Sequence, residues 1–429
     1  MIIGIRREDK NRWERRVPLV PADIAVLHDQ GLAFRIQPSP SRVFGDAEYA
    51  AVGCGVHEDL GPCELILAVK EIPTALLEAG KAYVYFSHVI KGQDYNMPML
   101  RRLLELNCSL VDYEKICDAD GRRLIFFSIH AGYAGMIDSL WTLGQRLAAR
   151  GFTTPLAEVR QTHEYPSFEA AKMHLRELGA RLEAELPAEL RPLTIGVAGY
   201  GNVAAGCREV LSCLPCEWVD PAELPAAATR DADAPPLRCV EFREEHMVAP
   251  AAGQAFDLAE YYQHPERYTG VFARQLPHLD VLMNTIYWAP QYPRLVTRDW
   301  VRENPEARLQ VIGDISCDIE GSIEITLQAT MPDVPSFTWD PASDAVTPGV
   351  SGPGPAVMAV DNLPCEVPRE SSEHFSRVLV DMVPALAACD WSQPFASLDL
   401  PPALKNAVIT HQGELTPGYR YLREFLDIV

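Results

Sequence analysis

The sequence predicts an α/β protein of two domains built on parallel sheets, and three observations carry that reading. The chain has 429 residues, 48% of them hydrophobic, which is more than one ordinary core needs and enough for two. Short apolar runs alternate with helically spaced segments through the first third, the pattern of a parallel sheet covered on both faces. Near the middle, an apolar strand beginning at Leu193 runs into a glycine turn and then a helix, opening a second α/β unit.

Taken in order, residues 1–5 form the first strand and residues 21–30 a helix. Residues 65–70 and 83–86 are short strands, the first stopped by Pro73 and the second by Ser87-His88. Helical spacing returns over 97–106, and 109–113 is another strand. Two helices follow, over 134–150 and 169–186. After the glycine turn a helix runs over 204–214, and Trp218-Val219-Asp220 ends a second strand. Residues 224–236, rich in Ala, Asp and Pro, read as a loop. Later strands are expected over 279–284 and 309–315. The run PGVSGPGP at 348–355 is a break between elements. A long helix spans 371–388 with a kink at Pro384, and the tail from 406 ends in a helix.

The formal net charge is -21, so the surface repels nucleic-acid phosphates and anionic lipid heads, and neither is expected as a partner. Apolar runs such as 65–69 are strand-length, far short of a membrane span. The opening residues lead straight into charge, unlike a signal peptide, which points to a cytoplasmic protein. Eleven cysteines lie scattered, and Cys213 and Cys216 form the one CxxC pair. With no second pair to complete a zinc site, they read as free thiols in a reducing compartment, and no metal is expected.

In Gly199-Tyr200-Gly201-Asn202-Val203-Ala204-Ala205-Gly206, the first glycine permits a tight turn. The second lets the backbone approach a pyrophosphate resting on the helix N-terminus. Ala204 stands where a third glycine is usual, and Gly206 comes two residues later. Asp220, 19 residues after Gly201, is placed to accept from a ribose 2′-hydroxyl, which favours NAD. Arg230, Arg238 and Arg243 downstream offset this if one of them folds back onto the ribose. An ordinary βα turn has the same shape, so the turn alone does not fix the ligand.

Polar residues concentrate where the first-domain strands end: Lys70-Glu71 after 65–69, His88 after 83–86 with Lys91 and Gln93 behind it, and Glu114 after 109–113. In a parallel sheet these ends share one edge, so the groups converge. A lysine beside a histidine suits amine chemistry, with Glu71 and Glu114 tuning the lysine. Singly, each of these residues also fits a solvated surface.

Over nearly its whole length the chain resembles the lysine–ketoglutarate reductase portion of the bifunctional lysine-degrading enzyme. It is similar, more distantly, to the saccharopine dehydrogenase and alanine dehydrogenase-like family. The matching stretches are 4–21 (GIRREDKNRWERRVPLVP), 86–97 (FSHVIKGQDYNM), 111–115 (VDYEK), 131–138 (AGYAGMID), 313–324 (GDISCDIEGSIE), 359–373 (AVDNLPCEVPRESSE) and the tail 406–413 (NAVITHQG). Arg267-Tyr268 and Ile286-Tyr287-Trp288 match as well.

The resemblance implies two Rossmann-like domains with a cleft between them. A catalytic domain would span 1–140, with 365–429 returning to it, and a dinucleotide-binding domain 141–364. It implies acid–base roles for Lys70 and His88 and pKa tuning by Glu71 and Glu114. Substrate contacts would come from Arg16, Lys91, Gln93, Arg122 and Phe127, with Arg123 competing for the place of Arg122. His130 stands where similar enzymes carry an aromatic, which reshapes the substrate pocket. Cofactor contacts fall to Gly199, Gly201, Asn202, Val203, Asp220, Ile286, Tyr287, Asp314 and Ser316. The implied reaction condenses L-lysine with 2-oxoglutarate and reduces the imine to saccharopine, or runs in reverse. NADP(H) is favoured over NAD(H) despite Asp220. The chain stops soon after the NAVITHQG-like tail, so a separate saccharopine-oxidising enzyme is expected beside it, and a homo-oligomer is left open. Two alternatives stand: a related amino-acid or opine dehydrogenase with another amine or keto acid, and a catalytically silent nucleotide-binding regulator.

Overall fold

A computed structural model describes residues 1–426. It divides into two compact units, Met1–Phe127 with the chain from Pro368 onward, and Ser128–Val367.

The first unit opens with β1 (Ile2–Ile5), β2 (Ala33–Ile36), β3 (Gly55–Val56), β4 (Leu65–Leu67), β5 (Ala82–Tyr85) and β6 (Ser109–Asp112). Each pairs parallel with its neighbour in the order β6-β5-β4-β1-β2-β3. The central strands are apolar throughout because helices and loops cover both faces; every residue of β4 and β5 is buried.

In the second unit come β7 (Leu193–Ala198), β8 (Cys216–Trp218), β9 (Leu237–Phe242), the antiparallel pair β10 (Val248–Pro250) and β11 (Tyr268–Gly270), β12 (Val281–Asn284), β13 (Val311–Asp314), β14 (Ser336–Trp339), β15 (Val346–Pro348) and β16 (Ala356–Met358). The large sheet runs β15-β14-β16-β13-β12-β7-β9-β8, parallel except at β14 and β15. Alternate residues feed two separate cores. Ile195, Val197, Met283 and Val311 pack on one face, Ala198, Leu282 and Ile312 on the other, the period of two expected of a strand. The chain then returns to the first sheet, where β17 (Val408–His411) and β18 (Glu414–Leu415) extend it antiparallel beyond β6.

Three local expectations change. The helix expected from residue 134 spans Ser128–Ala149, its glycines serving close packing. The helix expected over 371–388 is two, Pro368–Leu379 and Val383–Ala388, with Pro384 in the first turn of the second, where a missing N–H costs nothing. The strand beside β7 is β9, not the one that runs into Asp220. β9 buries Leu237, Cys239, Val240 and Phe242, as a strand paired on both sides must, whereas β8 leaves Glu217 and Trp218 exposed at the sheet edge. The tail carries β17 and β18 before the short helix Arg423–Leu426, and the end of the helix expected there lies outside the described residues. All eleven cysteines are free, Cys213 buried and Cys216 partly so. No helix among the described residues is long and apolar enough to cross a membrane.

Candidate active site

Because β1, β4, β5 and β6 are parallel, the segments that leave them share one edge of the first sheet. Glu8 leaves β1 and accepts from the backbone N–H groups of Val69 (2.6 Å) and Lys70 (2.9 Å), fixing the chain just after β4. Burial, with Glu14 nearby, pushes its carboxyl up to about 8. Lys70 is half-buried. Burial and the charges of Arg16 and Lys10 lower its pKa, while Glu14 and Glu71 oppose them.

Glu71 Oε1 lies 2.6 Å from His88 Nδ1, and Lys10 Nζ lies 3.0 Å from Glu71 Oε2. Burial raises the Glu71 carboxyl, but His88 and Lys10 outweigh it and hold it at about 2. An ionised Glu71 can only accept, so Nδ1 carries the proton and Nε2 is left as the basic nitrogen. His88 has φ +53°, a left-handed conformation uncommon for a residue with a side chain, and Asn96 Nδ2 donates to its carbonyl at 3.1 Å. Asp112, fully buried, takes hydrogen bonds from Ser87 Oγ and N and from Glu114 N (2.8 Å), tying the end of β6 to the turn that presents His88.

Other expected residues fall differently. Arg16 is 1% exposed and committed to Glu14, with Nε to Oε1 at 2.7 Å and a terminal nitrogen to Oε2 at 2.5 Å, its guanidinium 4.4 Å from the Phe127 ring. Arg122 stands at a solvent-exposed turn opposite Asp120 (3.5 Å). Its neighbour Arg123 lies 3.8 Å from Glu114 and over the Phe86 ring at 5.4 Å, and the same ring stacks with His88 at 6.2 Å. The arginine facing this edge is therefore Arg123. Phe127 stacks on Phe375 (5.1 Å) and belongs to an aromatic group with Phe86. Lys91 and Gln93 are exposed just after His88, and Gln93 accepts from Tyr95 at 2.9 Å. His130 lies in the second unit, in the first turn of its long helix, edge-on to Tyr133.

The second unit holds a separate cleft of about 280 Å³ bordered by Gly199, Gly201, Glu244, Tyr262, Ile286 and Tyr287. Gly199 has φ +111°, and a side chain there would meet Thr285 Oγ1 at 2.6 Å, so the turn demands glycine. Gly201 faces open space, and no side chain caps the N-terminus of the helix Asn202–Leu211 that it begins. The uncapped N–H groups around Asn202 and Val203, open above Gly201, fit a dinucleotide pyrophosphate. Gly206 does what the usual third glycine does. A Cβ there would strike the Ile129 carbonyl and lie 2.9 Å from Gly132 Cα, so the two glycines let their helices touch. Asp314 is buried, pushed up to about 6 by loss of water, and accepts from Thr326 Oγ1 (2.5 Å) and Asn284 Nδ2 (2.8 Å). Ser316 Oγ donates to the Ile286 carbonyl at 2.5 Å. Asp220 is exposed after the edge strand β8 and accepts from Ala222 N at 2.8 Å.

Sequence reading had not picked out Glu8, Glu14 or Lys10, whose only signal was charge directly after β1, nor the acids and tyrosines that follow β9. Among the described residues, no group of three or more His, Cys, Asp or Glu side chains could hold a metal ion.

Alpha-aminoadipic semialdehyde synthase of Arabidopsis thaliana is 36% identical over 98% of this chain and 41% of its own length. The mitochondrial enzyme of that name from Mus musculus is 36% identical over 99% of this chain and 48% of its own. The chain thus spans less than half the length of these two relatives. Saccharopine dehydrogenase [NAD(+), L-lysine-forming] of Neurospora crassa is 26% identical over 91% of this chain and 92% of its own. In fold, a solved L-alanine dehydrogenase matches with a TM-score of 0.64 at 17% identity, covering 99% of this chain and all of that one. The models for the N-terminal and C-terminal domains of alanine dehydrogenase/PNT match residues 4–134 and 250–418, together more than half of the sequence. On these grounds the chain belongs to the alanine dehydrogenase/PNT family.

Proposed function

We propose that the protein is a nicotinamide-dependent oxidoreductase that condenses L-lysine with 2-oxoglutarate and reduces the resulting imine to saccharopine, or catalyses the reverse. The observation that carries this reading is the Glu71–His88 pair beside Lys70, a set of groups suited to moving protons on and off an amine. The names of the relatives point the same way.

In this reading the lysine ε-amine attacks the ketone carbon of 2-oxoglutarate. His88 Nε2 takes a proton from the attacking amine and returns one to the departing hydroxyl, so that water leaves. Glu71 holds the ring in the tautomer that leaves Nε2 basic and stabilises the imidazolium formed on the way. Lys70, its charged form disfavoured by burial and by Arg16 and Lys10, exchanges the proton of the secondary amine. Arg123 and Lys91 supply cations for substrate carboxylates, where charge-assisted hydrogen bonds are strongest. The glycine turn and the helix beginning at Asn202 would hold the dinucleotide, with Gly199, Gly201, Ile286 and Tyr287 at its cleft. A bound nicotinamide supplies the hydride. The resemblance favours NADP(H) over NAD(H).

The test mixes purified protein with lysine, 2-oxoglutarate and NADPH, then NADH, and follows nicotinamide absorbance. Oxidation that needs both substrates supports the reading; no oxidation with either nucleotide overturns it.

A further inference from the structure

We propose that Arg243, at the end of β9, reads the ribose 2′ position and selects a 2′-phosphorylated dinucleotide, in the place that sequence order gives to Asp220. The inference rests on the reading of the second unit as a nicotinamide nucleotide site and names how that site chooses its ligand.

Topology comes first. In a dinucleotide-binding sheet, the adenosine ribose lies by the end of the strand paired with the glycine-turn strand. That strand here is β9, not β8. The register sets Ala198 opposite Phe242, and Gly199 N donates to the Phe242 carbonyl at 2.9 Å. The residues immediately after Phe242 are therefore the ones beside the turn, and they are Arg243 and Glu244.

The side chains agree. The Arg243 guanidinium lies 4.8 Å from the ring of Tyr200, which is inside the glycine turn, and it stays more than half exposed. The other two downstream arginines are spent elsewhere. Arg230 pairs with Asp280 (2.6 Å) just ahead of β12, and Arg238, on the second residue of β9, pairs with Glu217 (2.9 Å). Glu241 bridges Arg208 and Arg243, so one carboxylate faces two guanidinium groups. Glu244 borders the cleft, with Oε1 accepting from Tyr262 (2.6 Å) and Tyr200 (3.4 Å). A ribose with a 2′-phosphate and a free 3′-hydroxyl uses both residues, the phosphate on Arg243 and the hydroxyl donating to Glu244. A 2′-hydroxyl offers Arg243 a neutral acceptor but no anionic partner.

Calorimetric titration tests this without turnover. Wild-type protein and the variants Arg243→Met, Glu244→Gln and Asp220→Asn are titrated with NADPH, NADH, 2′,5′-ADP and 5′-AMP. The proposal expects wild type to bind the 2′-phosphorylated member of each pair more tightly. Arg243→Met should weaken those two ligands about 10- to 100-fold, the worth of a charge-assisted hydrogen bond, and leave 5′-AMP unchanged. Glu244→Gln should tighten NADPH by removing a like charge. Wild-type preference for NADH, selectivity that survives Arg243→Met, or its loss on Asp220→Asn instead would each overturn the assignment. Because Arg243 is exposed, a folding defect is not expected, and circular dichroism of the variant checks it. Binding of neither dinucleotide by wild type would overturn the nucleotide-site reading itself, a different failure from misplaced selectivity.

Discussion

His88 Nδ1 and Glu71 Oε1 lie 2.6 Å apart across the ends of two neighbouring parallel strands, β5 and β4. Glu71 is ionised throughout the neutral range, so the contact fixes the imidazole tautomer before any substrate arrives. His88 sits in a left-handed conformation that the Asn96 contact helps to hold, and the strain aims the ring.

Lys70 is the residue whose loss should separate chemistry from binding. Lys70→Met should lower turnover by about 10²-fold or more. Nucleotide affinity should hardly change, because the glycine turn belongs to the other unit. Steady-state kinetics together with nucleotide titration check this; near-normal turnover would remove Lys70 from the mechanism.

Arg123 and Arg122 make a sharper comparison because they are neighbours in sequence. Arg123 lies over Phe86 and near Glu114, whereas Arg122 faces solvent. Arg123→Ala should raise the KM for 2-oxoglutarate by about tenfold or more, a larger effect than Arg122→Ala. The reverse ranking would show that the wrong arginine has been placed at the site.

Asp138 and Glu366 form a buried acidic pair in the second unit. Thr162 N and Oγ1 donate to Asp138 at 2.8 and 2.9 Å. Burial pushes Glu366 up to about 7, and burial with the neighbouring Glu366 raises Asp138. Acids whose folded pKa is raised bind protons more tightly when folded. For Glu366 that contribution is fully present below about pH 4.5 and is lost as pH rises through about 7. Glu366→Gln should flatten that slope, so its Tm relative to wild type should improve as pH rises from about 4.5 to about 7. A wild-type slope that persists in the variant would locate the titration elsewhere.

Gly206 is a packing glycine. Gly206→Ala puts a methyl against the Ile129 carbonyl and Gly132 Cα, where backbone must move. A loss of roughly 1–3 kcal/mol is expected, read by denaturant unfolding. No loss would mean that the two helices are farther apart than described.

The alternation of apolar runs made the parallel sheets legible in the sequence, and strand-end logic brought Lys70, Glu71 and His88 to one edge. What stayed hidden depended on strand order. Sequence order names β8 as the second strand, and only the burial of Leu237, Cys239, Val240 and Phe242 shows that β9 takes the place beside β7. The helix predicted from residue 134 begins at Ser128, and Gly132 and Gly135 lie inside it, where their use is long-range contact that no local pattern reveals. The pairing of Arg16 with Glu14, two residues away, had no signal in the sequence beyond adjacent charge. Spacing alone could not distinguish Arg122 from Arg123, since a one-residue step at a turn reverses which side chain faces solvent.

The central claim is imine reduction between lysine and 2-oxoglutarate, and product identity tests it most directly. Protein, L-lysine, 2-oxoglutarate and NADPH labelled with deuterium at the transferred position are incubated together and analysed by mass spectrometry. The account predicts saccharopine carrying one deuterium at the former ketone carbon, formed only when all components are present. Recovery of unchanged lysine and 2-oxoglutarate with either NADPH or NADH, while the folded protein binds nucleotide, would contradict it.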